Sequence, residues 1–67
     1  MKIYLAVLRE NIDFSGLKEE LEKKEIKLLD HYETVGIIKL GSQNIVFQED
    51  FKDYFESVEE EKDNFAI

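Results

Sequence analysis

The sequence predicts a small α+β domain, and three observations lead there: an apolar run that alternates on two faces, an amphipathic helix directly after it, and two short β-prone runs meeting at a turn. Sixty-seven residues make one domain. A domain of this size buries only about 60% of the surface its unfolded chain exposes, so its stability is expected to be marginal.

The first run, Lys2 to Arg9 (KIYLAVLR), is apolar on both faces. Ile3, Leu5 and Val7 point one way, and Tyr4, Ala6 and Leu8 point the other. That is the pattern of a central strand covered on both sides. After a polar connection over 10–13, Phe14, Leu17 and Leu21 fall at helical spacing. Asp13 or Ser15 can cap this helix, and Glu19–Lys23 and Glu20–Lys24 are i,i+4 pairs in the favourable order.

Ile26 to Tyr32 and Thr34 to Leu40 read as two strands of a hairpin turning near Glu33. Gly36, inside the second, suggests a bulge or a close backbone approach. Gly41-Ser42 breaks the pattern. Ser42 then caps an expected second helix whose apolar side comes from Ile45, Val46, Phe47, Phe51 and Tyr54. Phe55 to Val58 reads as extended, followed by Glu59-Glu60-Glu61 and a tail. The result is β-α-β-β-α-β, the ferredoxin-like arrangement: a four-stranded antiparallel sheet with two helices on one face. A competing reading turns at 41–44, makes 45–48 a strand, and runs a single helix from Phe51 to Phe65, because Phe51, Tyr54, Phe55 and Val58 also sit at helical spacing.

Charge and composition exclude several functions. The net charge of −7 disfavours phosphate backbones and anionic membrane surfaces, so neither nucleic acid nor membrane is an expected partner. It suits a basic partner, or simply solubility. There is no cysteine and only one histidine, which leaves no usual zinc ligand set. Gly16, Gly36 and Gly41 are isolated and form no phosphate loop. His31 could pair only with Ser15, Ser42 or Ser57, and a lone imidazole without partners carries no mechanism. Glu59 to Glu61 with Asp63 lacks the alternation and central glycine of a calcium loop, and reads as a solvated charge run. The expectation is a protein that is not an enzyme, with no catalytic residue, no metal and no cofactor. The apolar run Ile3 to Leu8 is too short to span a bilayer and no cleavage site follows it, which makes the cytoplasm the default compartment, or the exterior if a signal was removed earlier.

One mismatch points to a partner. Two helices cover one face of a four-stranded sheet, yet Lys2 to Arg9, Leu28-Leu29 and Ile37-Ile38 place apolar groups on both faces. The open face should therefore expose Tyr, Ile and Leu side chains, as interaction sites do.

Phe55-Glu56-Ser57-Val58-Glu59-Glu60-Glu61-Lys62 resembles the end of the subtilisin-propeptide family (peptidase inhibitor I9), which reads Val-x-x-Val-Glu-Glu-Asp before its tail. Asp30 to Leu40 resembles that family's middle hairpin, and the spacing from Leu40 to Val58 is similar. The resemblance follows nearly the whole chain in order of elements and is specific over about a dozen residues. It implies residues 1–63 as one propeptide-like domain and 64–67 as an inhibitory tail. It also implies a subtilisin-like serine protease as partner, with the open sheet face on two of its surface helices. Glu60 and Glu61 would cap those helices, whose N-termini carry unpaired N–H groups. Asn64, Phe65, Ala66 and Ile67 would lie in the substrate cleft as an added strand, with Ile67 in the primary specificity pocket and its carboxylate resembling a cleaved product. If the chain is a complete gene product, it resembles the family's stand-alone inhibitors rather than a detached prosegment; the family's propeptides also act as folding chaperones. The sequence departs from the family at Glu61, where Asp is usual, at the polar Asn64, at the β-branched Ile67 and at the β-prone 44–47.

Two other readings remain. One is a ferredoxin-like regulatory module that dimerises through its open face and binds a small ligand; the inhibitor is expected to be monomeric when free, with a homodimer that pairs two such open faces as the plain alternative explanation of the apolar surplus. The other is an acidic antitoxin-like or nucleic-acid-mimicking domain that blocks a basic partner through the carboxylates of its helix.

Overall fold

The computed structural model describes residues 1–61. Its elements are β1 (Lys2–Leu8), α1 (Phe14–Lys23), β2 (Lys27–Tyr32), β3 (Ile37–Ser42), a 3-10 turn (Gln48–Phe51) and β4 (Phe55–Glu61). The four strands form one sheet in the order β2-β3-β1-β4, and every neighbouring pair is antiparallel. This is an α+β fold with the strand order of a split βαβ arrangement. The two-sided apolar run becomes β1, which lies between β3 and β4.

Tyr4 and Ala6 of β1, Ile38 and Leu40 of β3, and Phe55 of β4 point to the covered face and are buried. Leu17 and Leu21, one turn apart on α1, close over them with Ile26. Asp13 occupies the N-cap position by its backbone, and its side chain makes no capping hydrogen bond. The expected i,i+4 ion pairs do not form; Glu20 instead meets Lys23 at 3.6 Å, one turn away and largely in solvent.

α1 ends in a Schellman motif. The N–H of Ile26 donates to the carbonyl of Leu21 at 2.9 Å and that of Glu25 to Glu22 at 3.0 Å. Glu25 takes the left-handed conformation that this cap demands, at φ 59°.

The hairpin is displaced from its expected place. β3 begins at Ile37, not Thr34, and continues to Ser42. Gly36 belongs to the turn, where φ +70° favours glycine, and the N–H of Gly36 donates to the carbonyl of Tyr32 at 2.9 Å. The irregularity expected at Gly36 sits in β2, between Leu28 and Asp30.

The second helix is absent. In its place residues 43–47 run as an irregular, partly extended segment into the single 3-10 turn. Ser42, expected to cap a helix, closes β3 opposite Lys2, and its hydroxyl accepts the N–H of Asn44 at 3.1 Å. Such local side-chain bonds compete with helix formation, and the β-branched Ile45 and Val46 resist it further. Phe47 is extended at φ −100°, ψ 137°. Val46 and Phe51 are buried, so this segment shares the covering of the sheet with α1. Phe51 stacks on Phe55 at 5.0 Å between ring centroids. Gln48 Nε2 donates to the Phe55 carbonyl at 2.9 Å and Arg9 Nε to the Lys52 carbonyl at 2.7 Å, tying both ends of the connection to the sheet. The competing single helix from Phe51 to Phe65 is also overturned, because 55–61 is a strand.

Candidate functional site: the open sheet face

Side chains alternate across a strand, and cross-strand partners share a face. The registers therefore lay out the uncovered face as a grid. One row runs Lys27, Gly41, Ile3, Glu61 from β2 to β4. The middle row runs Asp30, Lys39, Leu5, Glu59, and the last runs Tyr32, Ile37, Val7, Ser57. The β2 irregularity places Leu29 on this face too, beside Gly41: a Cβ added at Gly41 would meet Leu29 Cδ1 at 3.2 Å and the sulfur of Met1 still closer.

The grid has an apolar centre and one acidic edge. Ile3, Leu5, Val7 and Ile37 are half-buried, although no helix among the described residues covers them. Leu29 and Tyr32 are 44% and 42% exposed, and Met1 is 60% exposed. This is the surplus of apolar face that the sequence leads one to expect. Glu59 and Glu61 are exposed on β4, an edge strand.

Glu60 and Glu61 were expected after the last strand, but both lie within it. They also diverge. Glu61 pairs with Ile3 and faces the open side, whereas Glu60 pairs with Tyr4 and faces the side of α1. Two successive strand residues cannot meet one flat partner together. The carboxylates that share the open face are Glu59 and Glu61, so Glu59 is the residue that sequence reasoning passed over. Strand alternation would have found it, had β4 been extended to Glu61. Asn64, Phe65, Ala66 and Ile67, with Lys62 and Asp63, lie outside the described residues.

Elsewhere the candidate chemistry is dispersed. His31 faces α1 and stacks on Phe14, with ring centroids 4.6 Å apart and planes 10° from parallel. Ser57 is on the opposite face, and Ser42 is at the far end of β3 from Ile38, the partner of His31. A groove of about 420 Å³ between α1 and β2 is lined by Lys18, Leu21, Glu22, Ile26, Lys27, Leu28 and Leu29, which include no serine, cysteine or histidine. Among the described residues, no three His, Cys, Asp or Glu side chains are grouped to hold a metal ion, and no helix is long and apolar enough to cross a membrane.

Comparison with protein-family models, with curated proteins and with solved structures finds no match to this chain.

Proposed function

We propose that this domain inhibits a subtilisin-like serine protease without being an enzyme itself. The open sheet face docks on the protease, and Asn64 to Ile67 occupy the substrate cleft as an added strand. The observation that carries the reading is the open apolar face with Glu59 and Glu61 at the end of β4, the strand that leads directly into the tail. The resemblance of 55–62 to the propeptide family agrees with it. The missing second helix does not weaken it, because that segment lies on the other side of the sheet.

The grid changes the residues assigned to docking. Glu59 and Glu61, two apart and on one face, are the pair available to a partner's helix N-termini or basic side chains. Glu60 faces away. The half-buried Leu5 and Val7, beside Ile37, supply the apolar centre of the contact.

The test is inhibition of a purified subtilisin-family protease by the intact chain and by a chain lacking Phe65 to Ile67. The proposal expects inhibition by the first only, with both proteins folded. Equal inhibition by the truncated chain, or none by either at micromolar concentration, would overturn it.

A further inference from the structure

The groove between α1 and β2 takes no part in the protease contact proposed above, and its walls come from both sides of the sheet. Leu21 of α1, Ile26 and Leu28 line it from the covered side. Lys27 and Leu29 line it from the open side. β3 closes the inner flank of β2, so a groove touched by both sets of side chains runs along the strand's outer edge. β2 pairs with β3 alone, and no strand among the described residues meets the N–H and C=O groups of that outer edge. The irregularity in β2 leaves Leu29 without a register partner in β3, and bulges of this kind re-aim side chains beside binding sites.

These features select the occupant. A helix or a small apolar molecule fills such a groove but leaves the edge N–H and C=O groups to water, whereas an extended chain pairs with them. The other free edge of the sheet is guarded by charge, because β4 carries Glu56, Glu59, Glu60 and Glu61. The groove is lined by two ammonium groups, Lys18 and Lys27, and one carboxylate, Glu22. Neither lysine has a carboxylate within 4 Å among the described residues. One carboxylate supplied by the occupant balances that excess. The paired stretch is short, since the Asp30 carboxylate accepts the N–H of His31 at 2.8 Å and takes that position from an added strand.

We propose that the outer edge of β2 is a strand-addition site for an extended segment of another protein, one with an apolar side chain for the pocket between Leu21, Ile26 and Leu28 and a single carboxylate for Lys18 and Lys27. The groove of about 420 Å³ falls within the ~300–1,000 Å³ of ligand sites and accepts a short peptide rather than a folded surface. Pairing over 27–29 and one pocket give a weak contact, with a Kd of about 0.1–5 mM for a pentapeptide. The site lies on the β2 edge, away from Glu59 and Glu61 on β4, and does not rest on the protease reading.

The experiment is an amide-shift titration of the isotope-labelled full chain with two pentapeptides, acetyl-Glu-Val-Leu-Val-Thr-amide and acetyl-Thr-Val-Leu-Val-Glu-amide. Salt at about 0.15 M screens the domain's net charge of −7 beyond about 8 Å. At least one peptide should shift the amides of Lys27, Leu28 and Leu29. Methylating alternate backbone nitrogens of that peptide, in either register, gives two forms, and one of them should bind about tenfold more weakly because it cannot pair with the edge. Replacing its Glu by Lys should weaken binding about threefold, and Lys27→Glu should reverse that order. Lys27 is exposed, and circular dichroism checks the fold of the variant. No shift over 27–29 with either peptide up to about 10 mM, undiminished binding by both methylated forms, or an order of the Glu and Lys peptides that Lys27→Glu leaves unchanged would each overturn the proposal. No protease enters the measurement, so this proposal can fail while the inhibitor reading stands.

Discussion

Glu25 and Gly36 both adopt left-handed backbone, at φ 59° and φ 70°, and only one of them is the residue best suited to it. Glu25 closes the Schellman motif of α1, where glycine avoids the Cβ clash. Glu25→Gly should stabilise the domain by about 0.5–1 kcal/mol, a rise in Tm of roughly 3–6 °C by calorimetry. A fall in Tm would contradict the cap assignment. Gly36→Ala should do the opposite, lowering stability by about 1–2 kcal/mol. No atom lies within 4 Å of the new Cβ, so that cost is purely conformational. Tyr4 presents a third case. Its hydroxyl is buried and has no hydrogen-bond partner among the described residues. Tyr4→Phe removes an unsatisfied group at little cost in volume, so denaturant unfolding should show stability unchanged or raised by up to about 1 kcal/mol. A loss of about 1 kcal/mol or more would mean the hydroxyl is satisfied.

At the level of elements, the sequence is most legible where one period dominates. Lys2 to Leu8 alternates apolar residues on both faces, and Phe14, Leu17 and Leu21 follow one helical stripe; both segments fold as their patterns dictate. Legibility fails between Ser42 and Phe55. Ile45, Val46, Phe47 and Phe51 can be read as one side of a helix, but their β-branched and aromatic character, and the Ser42 hydroxyl bond to Asn44, favour an extended segment. Tertiary packing then fixes it, with Val46 and Phe51 inside and Ile45 and Phe47 outside. Phe51 anchors this connection, so Phe51→Ala should cost about 3–5 kcal/mol. A domain this small has little more stability than that to lose. The variant should lose its cooperative thermal transition, and a sharp transition near the wild-type Tm would show that the segment is dispensable. The β4 boundary was illegible for a different reason. Three consecutive glutamates look like solvated tail, yet on an edge strand they pair on one side only and their charge discourages further strand addition. Ending the strand at Val58 concealed the alternation that separates Glu60 from its neighbours.

For the molecule as a whole, among the described residues α1 and an irregular segment cover one face of the sheet, while the apolar centre of the other face is half-buried with no element over it. The half-buried apolar side chains of that second face are the ones available to a partner in the function proposed above. The net charge of −7 gathers partly along β4, so the open face is polar in sign from one edge to the other. The proposed protease contact draws on that polarity. The central claim is that a partner protein meets this domain on the open face, and strand alternation makes it testable with three adjacent residues of one type. The measurement is the inhibition constant against a subtilisin-family protease for the wild type, Glu60→Gln and the double variant Glu59→Gln/Glu61→Gln. Docking through the open face predicts inhibition by the wild type, a loss of about 10- to 100-fold for the double variant, and a change within about twofold for Glu60→Gln. A loss carried by Glu60→Gln, with the double variant unaffected, would place the contact on the covered side and contradict the account.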